Sequence, residues 1–228
     1  MKFRTTLAVL AAVILSGCAG APQLPVAVAP TAFTAPANKY GVVMAKLPVV
    51  DTSFPGAGCL LCYAAASVAN SSLTTHTKTL QHDDLATLRD EVAGILKKKG
   101  ASVKSIDAFD FASLPDNKDQ KPNFARKDFT GLKAKHNVDK LLVINIASVG
   151  IERTYASYVP TSDPKAHVVG QSYIVNLNDN SLEWYQPVDA SKVAEGKWDE
   201  PPKFPGLTNA YFQTLELAKD QITKPLAQ

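Results

Sequence analysis

The sequence predicts an α/β domain: a mixed β-sheet with helices packed on it, preceded by a signal peptide and a proline-rich tether. Three observations carry that prediction. Lys140 to Ala147 is nearly unbroken in apolar character, as in a central strand covered on both faces. Leu85, Leu88, Val92, Ile95 and Leu96, and again Tyr211, Leu215, Ala218 and Ile222, recur at helical spacing. Strand-like runs after Lys140 are separated by turn residues, which describes an antiparallel meander.

Taken in order, Lys2 and Arg4 precede the apolar run Leu7 to Leu15, which is too short for a stable membrane span and reads as a removable leader over residues 1–17. Residues 18–38 hold Pro22, Pro25, Pro30 and Pro36 and no charged side chain up to Ala37, a composition expected to run extended as a stalk. The folded domain is expected over residues 39–228. Tyr40 to Leu47 is apolar and partly β-branched, favouring a first strand. Asp83 and Asp84 can cap a helix ending at Lys97-Lys98-Lys99-Gly100, a cationic last turn and a glycine stop. Val103 to Ile106 reads as a short strand, Ser113 to Pro122 as a loop, and Lys127 to His136 as a second, shorter helix with Phe129, Leu132 and His136 on one face. The central strand from Lys140 continues toward Tyr155. A loop at Thr161 to Pro164 leads to a returning strand from His167 to Leu177, and the Asn178-Asp179-Asn180 turn leads to Leu182 to Tyr185. Thr208 can open the last helix.

Charge excludes one class of partner. The formal net charge is +3, and without residues 1–17 there remain 22 basic against 21 acidic side chains. No excess is left to neutralise phosphates, so no nucleic acid is expected. At 228 residues the chain is long enough for one well-buried core.

Leu15-Ser16-Gly17-Cys18 resembles the lipobox of bacterial lipoproteins. The resemblance implies cleavage before Cys18, a diacylglyceryl thioether on its sulfur and further acylation of the new amino terminus. Two or three chains anchor firmly where a single myristoyl chain binds only marginally. Ala19 in the next position implies an outer-membrane destination in the enterobacterial sorting pattern, with the domain in the periplasm.

Behind that motif, the element order from about Lys39 to Ile222 resembles the α/β domain shared by the amino-terminal part of the Tol-system translocation protein B, the curli-secretion lipoprotein and the Pel-polysaccharide export lipoprotein. Those are envelope assembly or export components, several of them rings, and the likeness implies a non-enzymatic role. Gly58 to Tyr63 and Trp198 to Leu207 resemble small proteobacterial lipoproteins that bring no activity with them. A membrane-inserted hairpin of the curli kind would fall at Ile151 to Val175, but Glu152, Arg153, Asp163, Lys165 and Gln171 interrupt a lipid-facing alternation there.

Few residues can carry chemistry. Cys59 and Cys62 form a C-x-x-C pair, either a local disulfide, two apolar thiols in a packed segment, or a thioredoxin-like redox pair with Tyr63 to Ala69 as its helix. Tyr63 excludes the haem-attachment pattern, and two further ligands for zinc are missing. His76, His82, His136 and His167 are scattered, no G-x-S-x-G elbow occurs, and no phosphate loop or dinucleotide fingerprint is present. Asp83/Asp84 and Asp107/Asp110 are explained by capping and solvation. Gly56 to Ala69 is small and apolar, suited to core packing or to contact with a bilayer or a neighbouring subunit. Trp184, Tyr185, Trp198 and Phe204, interleaved with prolines, suit a clasp over the sheet or a surface for a partner or glycan. The sequence therefore predicts a membrane-anchored envelope lipoprotein, not an enzyme, without metal or cofactor, binding envelope proteins or itself. The alternatives are a periplasmic thiol-disulfide oxidoreductase and a subunit of a secretion or export complex.

Overall fold

The computed structural model describes residues 22–29, 32–33 and 39–228. Five strands run in the order β3-β1-β4-β7-β8: β3 is Ser102–Ile106, β1 Lys39–Met44, β4 Lys140–Glu152, β7 Lys165–Asn176 and β8 Leu182–Val193. The short β2, Asp51–Ser53, extends the sheet beside β4 beyond the end of β1. Pairing is parallel for β1 with β3 and β4 and antiparallel from β4 through β7 to β8, so the sheet is mixed and the fold is α/β. The meander lies where alternation and turn residues place it, and Leu141 to Ile144 of β4 are buried, as a strand covered on both faces requires.

The helices are α1 Leu60–Ala69, α2 Ser71–Thr77, α3 Asp83–Ala86, α4 Leu88–Lys98, α5 Gly131–His136 and α6 Pro205–Ala227. One sheet face is covered by α4 and α6, which bury Leu88, Val92, Leu96, Tyr211, Leu215 and Ile222 against Val42, Leu142, Ile144, Ile174 and Trp184. The other face carries α5 and the segment before it, through Phe129, Leu132, Leu141, Val143 and Val175.

Several boundaries differ from the sequence reading, each for a local reason. The single helix expected after Asp83 is broken at Thr87, whose hydroxyl sits 2.9 Å from the Asp84 carbonyl and 2.7 Å from the Glu91 carboxylate, competing with the backbone ladder. His82, not an aspartate, stands at the start of α3. The helix expected from Lys127 begins only at Gly131, because the Asp128 carboxylate accepts from the Thr130 amide (2.9 Å), the Thr130 hydroxyl (2.7 Å) and the Asn180 amide (2.9 Å) and holds those residues in a turn. The last helix starts three residues before Thr208, with Pro205 in its first turn, where its missing N–H costs nothing.

Within the stretch read as an extended stalk, residues 22–29 lie against the domain. The Val26 amide donates to the Tyr185 carbonyl (2.9 Å) and the Tyr185 amide to Val26 (3.0 Å), along the outer edge of β8. Ala32 and Phe33 enter the main core, Phe33 meeting Tyr40 at 5.7 Å between ring centroids. Further along β8, Pro187 has no N–H to offer, and the Gln221 side chain of α6 bonds both backbone groups of Asp189, at 3.0 and 3.1 Å.

Candidate functional site

The residues between Asp51 and Lys78 include no Asp, Glu, Lys or Arg. They build a projection at the far end of β4. The strand β2 pairs with Gly150 to Glu152, the chain turns at Gly56, and α1 and α2 follow. Gly56 has φ +86°, and a Cβ there would collide with the Tyr155 carbonyl, so only glycine closes this turn. Opposite, β4 leads into a two-strand hairpin, β5 Tyr155–Ala156 and β6 Val159–Pro160.

A small core of its own holds α1 against the hairpin, while Leu73 of α2 reaches the main core. Phe54, Ala57, Cys62, Ala66 and Tyr155 are buried against each other, with Phe54 edge-on to Tyr63 and to Tyr155 at 5.9 Å each. Beneath them Asn70, 3% exposed, donates from Nδ2 to the Ala66 carbonyl (2.7 Å) and the Tyr155 hydroxyl (2.6 Å). Its Oδ1 accepts from Arg153 (3.0 Å), whose guanidinium also reaches the Ser162 carbonyl and lies 4.9 Å over the Trp198 ring. Trp198 in turn stacks on Phe204 at 6.2 Å, so part of the expected aromatic clasp braces this end, while Trp184 is buried under α6 and Tyr185 lies on the opposite sheet face.

What the small core does not use is exposed. Leu60 is 85%, Leu61 70% and Val68 76% exposed on α1, and Tyr63, Ala64, Ala65 and Ala69 are open beside them. Tyr158 and Val159 of the hairpin are exposed as well. Only Cys62 and Ala66 of α1 are buried. Single exposed apolar residues need no explanation, but here several fall together on one helix that carries no charged side chain.

Cys59 and Cys62 are disulfide-bonded at the head of α1. Cys59 is exposed at the N-cap, where its sulfur accepts from the Cys62 amide (2.9 Å) and lies 3.8 Å from the Tyr158 hydroxyl; Cys62 is buried. Cys18, the expected lipid-bearing residue, and the whole of 1–17 lie outside the described residues.

Elsewhere, Ser148 and His167 are 2.7 Å apart, on a bulge of β4 and on β7. The Nδ1 of His167 is buried without a partner, so no third group orients the ring as a serine nucleophile's base requires. Burial holds the His167 pKa below its ordinary value. His76 contacts the Thr208 hydroxyl (2.8 Å) and packs on Phe204, and His82 meets the Pro48 carbonyl. Asp110 accepts from the Ala112 amide (2.9 Å) and caps a short 3-10 turn, Phe111–Ser113. Among the described residues no three His, Cys, Asp or Glu side chains come together to hold a metal.

Reasoning from the sequence missed a polar cluster on the α5 face of the sheet: Asn145, Gln171, Tyr173 and Tyr185. Part of the signal was present, since Asn145 interrupts the otherwise apolar run from Leu141 to Ala147.

No protein-family model and no curated protein sequence matches the chain. Among solved structures, a neuraminyllactose-binding hemagglutinin homolog from Helicobacter pylori is 13% identical, with a TM-score of 0.35 over 92% of this chain and 91% of that one. A variant PelC dodecamer from Paraburkholderia phytofirmans is 10% identical, with a TM-score of 0.27 over 87% of this chain and 94% of that one. Superpositions this loose assign neither an activity nor an assembly.

Proposed function

We propose that the chain is a lipoprotein of the bacterial cell envelope, anchored to the outer membrane by acyl chains on Cys18, that binds another envelope protein and catalyses no reaction. The observation that carries the binding role is the uncharged apolar surface of α1 and the neighbouring hairpin, which the fold builds and leaves open. Its position favours a protein over the anchoring bilayer. Toward the amino terminus the chain is still held at Gln23, whose side chain bonds Asn123 at 2.8 Å in both directions, and Asn123 in turn accepts from Leu182, level with Val175 and Leu141. Glu152 lies eleven steps along β4 from Leu141, and at about 3.3 Å a step the projection stands roughly 36 Å along the strand from that point.

The anchor is tested by intact mass measurement of the native membrane protein: a diacylglyceryl adduct on a chain beginning at Cys18 supports it, and an unmodified thiol or an uncut leader refutes it. The surface is tested by a photocrosslinker at Leu61 or Val68 in native membranes. A discrete crosslinked protein, or a discrete oligomer of this chain, is expected from those positions and not from Lys135 on α5; the same products from both would refute it.

A second reading rests on one observation. Cys59 is exposed at a helix start while Cys62 is buried behind it, the placement that lowers a thiol pKa and exposes the attacking sulfur in redox helices. Under this reading a Cys59→Ser chain loses thiol-disulfide exchange with a reduced peptide substrate. Exchange equal in the variant and the parent, or none in either, removes it.

A further inference from the structure

On the sheet face opposite α4 and α6 lies a cavity of about 350 Å³, within the range of small-ligand sites. Its floor comes from strand register. Asn145 of β4 is directly opposite Gln171 of β7, and Tyr173 of β7 opposite Tyr185 of β8, so two amides and two phenols share one face. Its wall is aromatic: Phe111 meets Phe129 at 6.3 Å, Phe129 meets Tyr173 at 6.2 Å, and Tyr173 stacks on Tyr185 at 6.4 Å.

The polar groups of the floor are oriented yet incompletely used. The Tyr185 hydroxyl donates to Gln171 Oε1 at 2.8 Å, which fixes that amide and leaves its two Nε2 hydrogens directed elsewhere. The Asn145 amide and the Tyr173 hydroxyl have no hydrogen-bond partner among the described residues, and both border the cavity. A second cavity of about 680 Å³ shares Phe111, Ala112 and Asn145, so the space continues past the amide.

The chemistry of the lining selects the occupant. An acyl chain or other wholly apolar ligand would strip water from these amides and hydroxyls and return no hydrogen bond, leaving each group unpaired at a cost in binding. The floor itself carries no cation: at the rim Lys127 is paired with Asp116 at 2.8 Å and the exposed Arg126 contacts the Gln120 amide oxygen at 3.3 Å, while Lys46 borders only the adjoining cavity, so an anion would meet positive charge at the mouth and not where the ring packs. A pyranose offers what both surfaces lack: C–H faces that pack on aromatic rings and hydroxyls that pair with amide N–H, amide C=O and phenol. We propose that this cleft binds a neutral saccharide, with Asn145 and Gln171 taking ring hydroxyls and Tyr173 and Tyr185 forming the platform. The size of the two adjoining cavities suits a short linear oligomer over a single ring.

This site is independent of the anchor and of the α1 surface. The experiment is titration calorimetry of the full purified chain in detergent with maltotriose, cellotriose and N-acetylated chitotriose, with trigalacturonic acid as the charged control. At least one neutral trisaccharide is expected to bind at millimolar Kd or tighter, with affinity lost tenfold or more in Gln171→Ala and Asn145→Ala and unchanged in Leu61→Ser. Tyr185→Phe, which removes one hydroxyl and keeps the ring, guards against a folding artefact: it should weaken binding severalfold with an unaltered melting temperature. Binding by none of the three neutral sugars, tighter binding of trigalacturonic acid, or full affinity in Gln171→Ala would overturn the proposal.

Discussion

Helices α1 and α4 are nearly equal in length, 10 and 11 residues, and opposite in design. In α4 the apolar positions Leu88, Val92, Ala93 and Leu96 are buried against the sheet, while the acidic first turn and cationic last turn face water and complement the helix dipole. In α1 Leu60, Leu61 and Val68 face outward, no charge sits at either end, and the only buried residues are Cys62 and Ala66. The outward side chains of α1 contribute nothing to the core that holds the helix through Cys62 and Ala66. The contrast separates side chains that stabilise the fold from side chains available to a partner.

That separation can be broken or sharpened by substitution. The largest effect belongs to α4: Leu88→Ala or Leu96→Ala removes a fully buried side chain and should cost about 2–5 kcal/mol in urea unfolding. A loss under 1 kcal/mol would mean that α4 is not core. Next comes the joint between the two regions. Gly150 has φ +149°, and a Cβ would strike the Asp51 carbonyl of β2, so Gly150→Ala should lose about 2 kcal/mol or more. Hydrogen exchange should rise first in residues 51–77 with β1 and β7 still protected, and uniform loss would show the projection and sheet to be one cooperative unit. Reducing the Cys59–Cys62 bond opens a loop with only two intervening residues, so the global loss should be about 2 kcal/mol or less, with faster amide exchange confined to α1.

A pH series probes the sheet at His167, with His76 of α2 shifted in the same direction by burial and by Lys203. Burial chiefly, with Lys165 nearby, depresses the His167 pKa, against the opposing pull of Glu152 and Asp189. The folded state therefore favours the neutral ring. Its contribution is complete above the ordinary value of about 6.5 and declines as pH falls below it, because the unfolded chain takes up the proton first. The melting temperature should drop from pH 7 to pH 5, and His167→Gln should flatten that drop while leaving α1 exchange unchanged. The smallest effect is expected at Leu61→Ser, within about 0.5 kcal/mol of the parent, together with loss of the crosslinked product. A large destabilisation there would erase the contrast between the helices.

The parts of the fold written in period and run length were legible. Leu141 to Ile144 announced the central strand, Leu88 to Leu96 the face of α4, and Asn178 to Asn180 the last hairpin turn, because each pattern is local. The projection was only half legible. Its apolar composition is plain in Gly56 to Ala69, but composition alone does not say whether a helix is covered, and Asp51–Ser53 has no pattern that marks a strand. The amino-terminal docking was hidden for a related reason: proline-rich apolar sequence is compatible with a solvated stalk, and only the open edge of β8 decides where Val26 goes and the core beside Tyr40 where Phe33 goes. The saccharide cleft depends on register across three strands, which places Asn145 next to Gln171 and Tyr173 next to Tyr185, and no short motif encodes such pairing.

The outer edge of β8 has a consequence for how copies of this molecule can meet. Tyr185 is occupied by Val26, the Pro187 nitrogen carries no hydrogen, and Asp189 is held by Gln221, so successive outward-facing positions are closed to an incoming strand. At the opposite margin β3 is only five residues long and carries Lys104. Growth by sheet extension is thereby discouraged at both margins, which leaves any association between copies to side-chain surfaces.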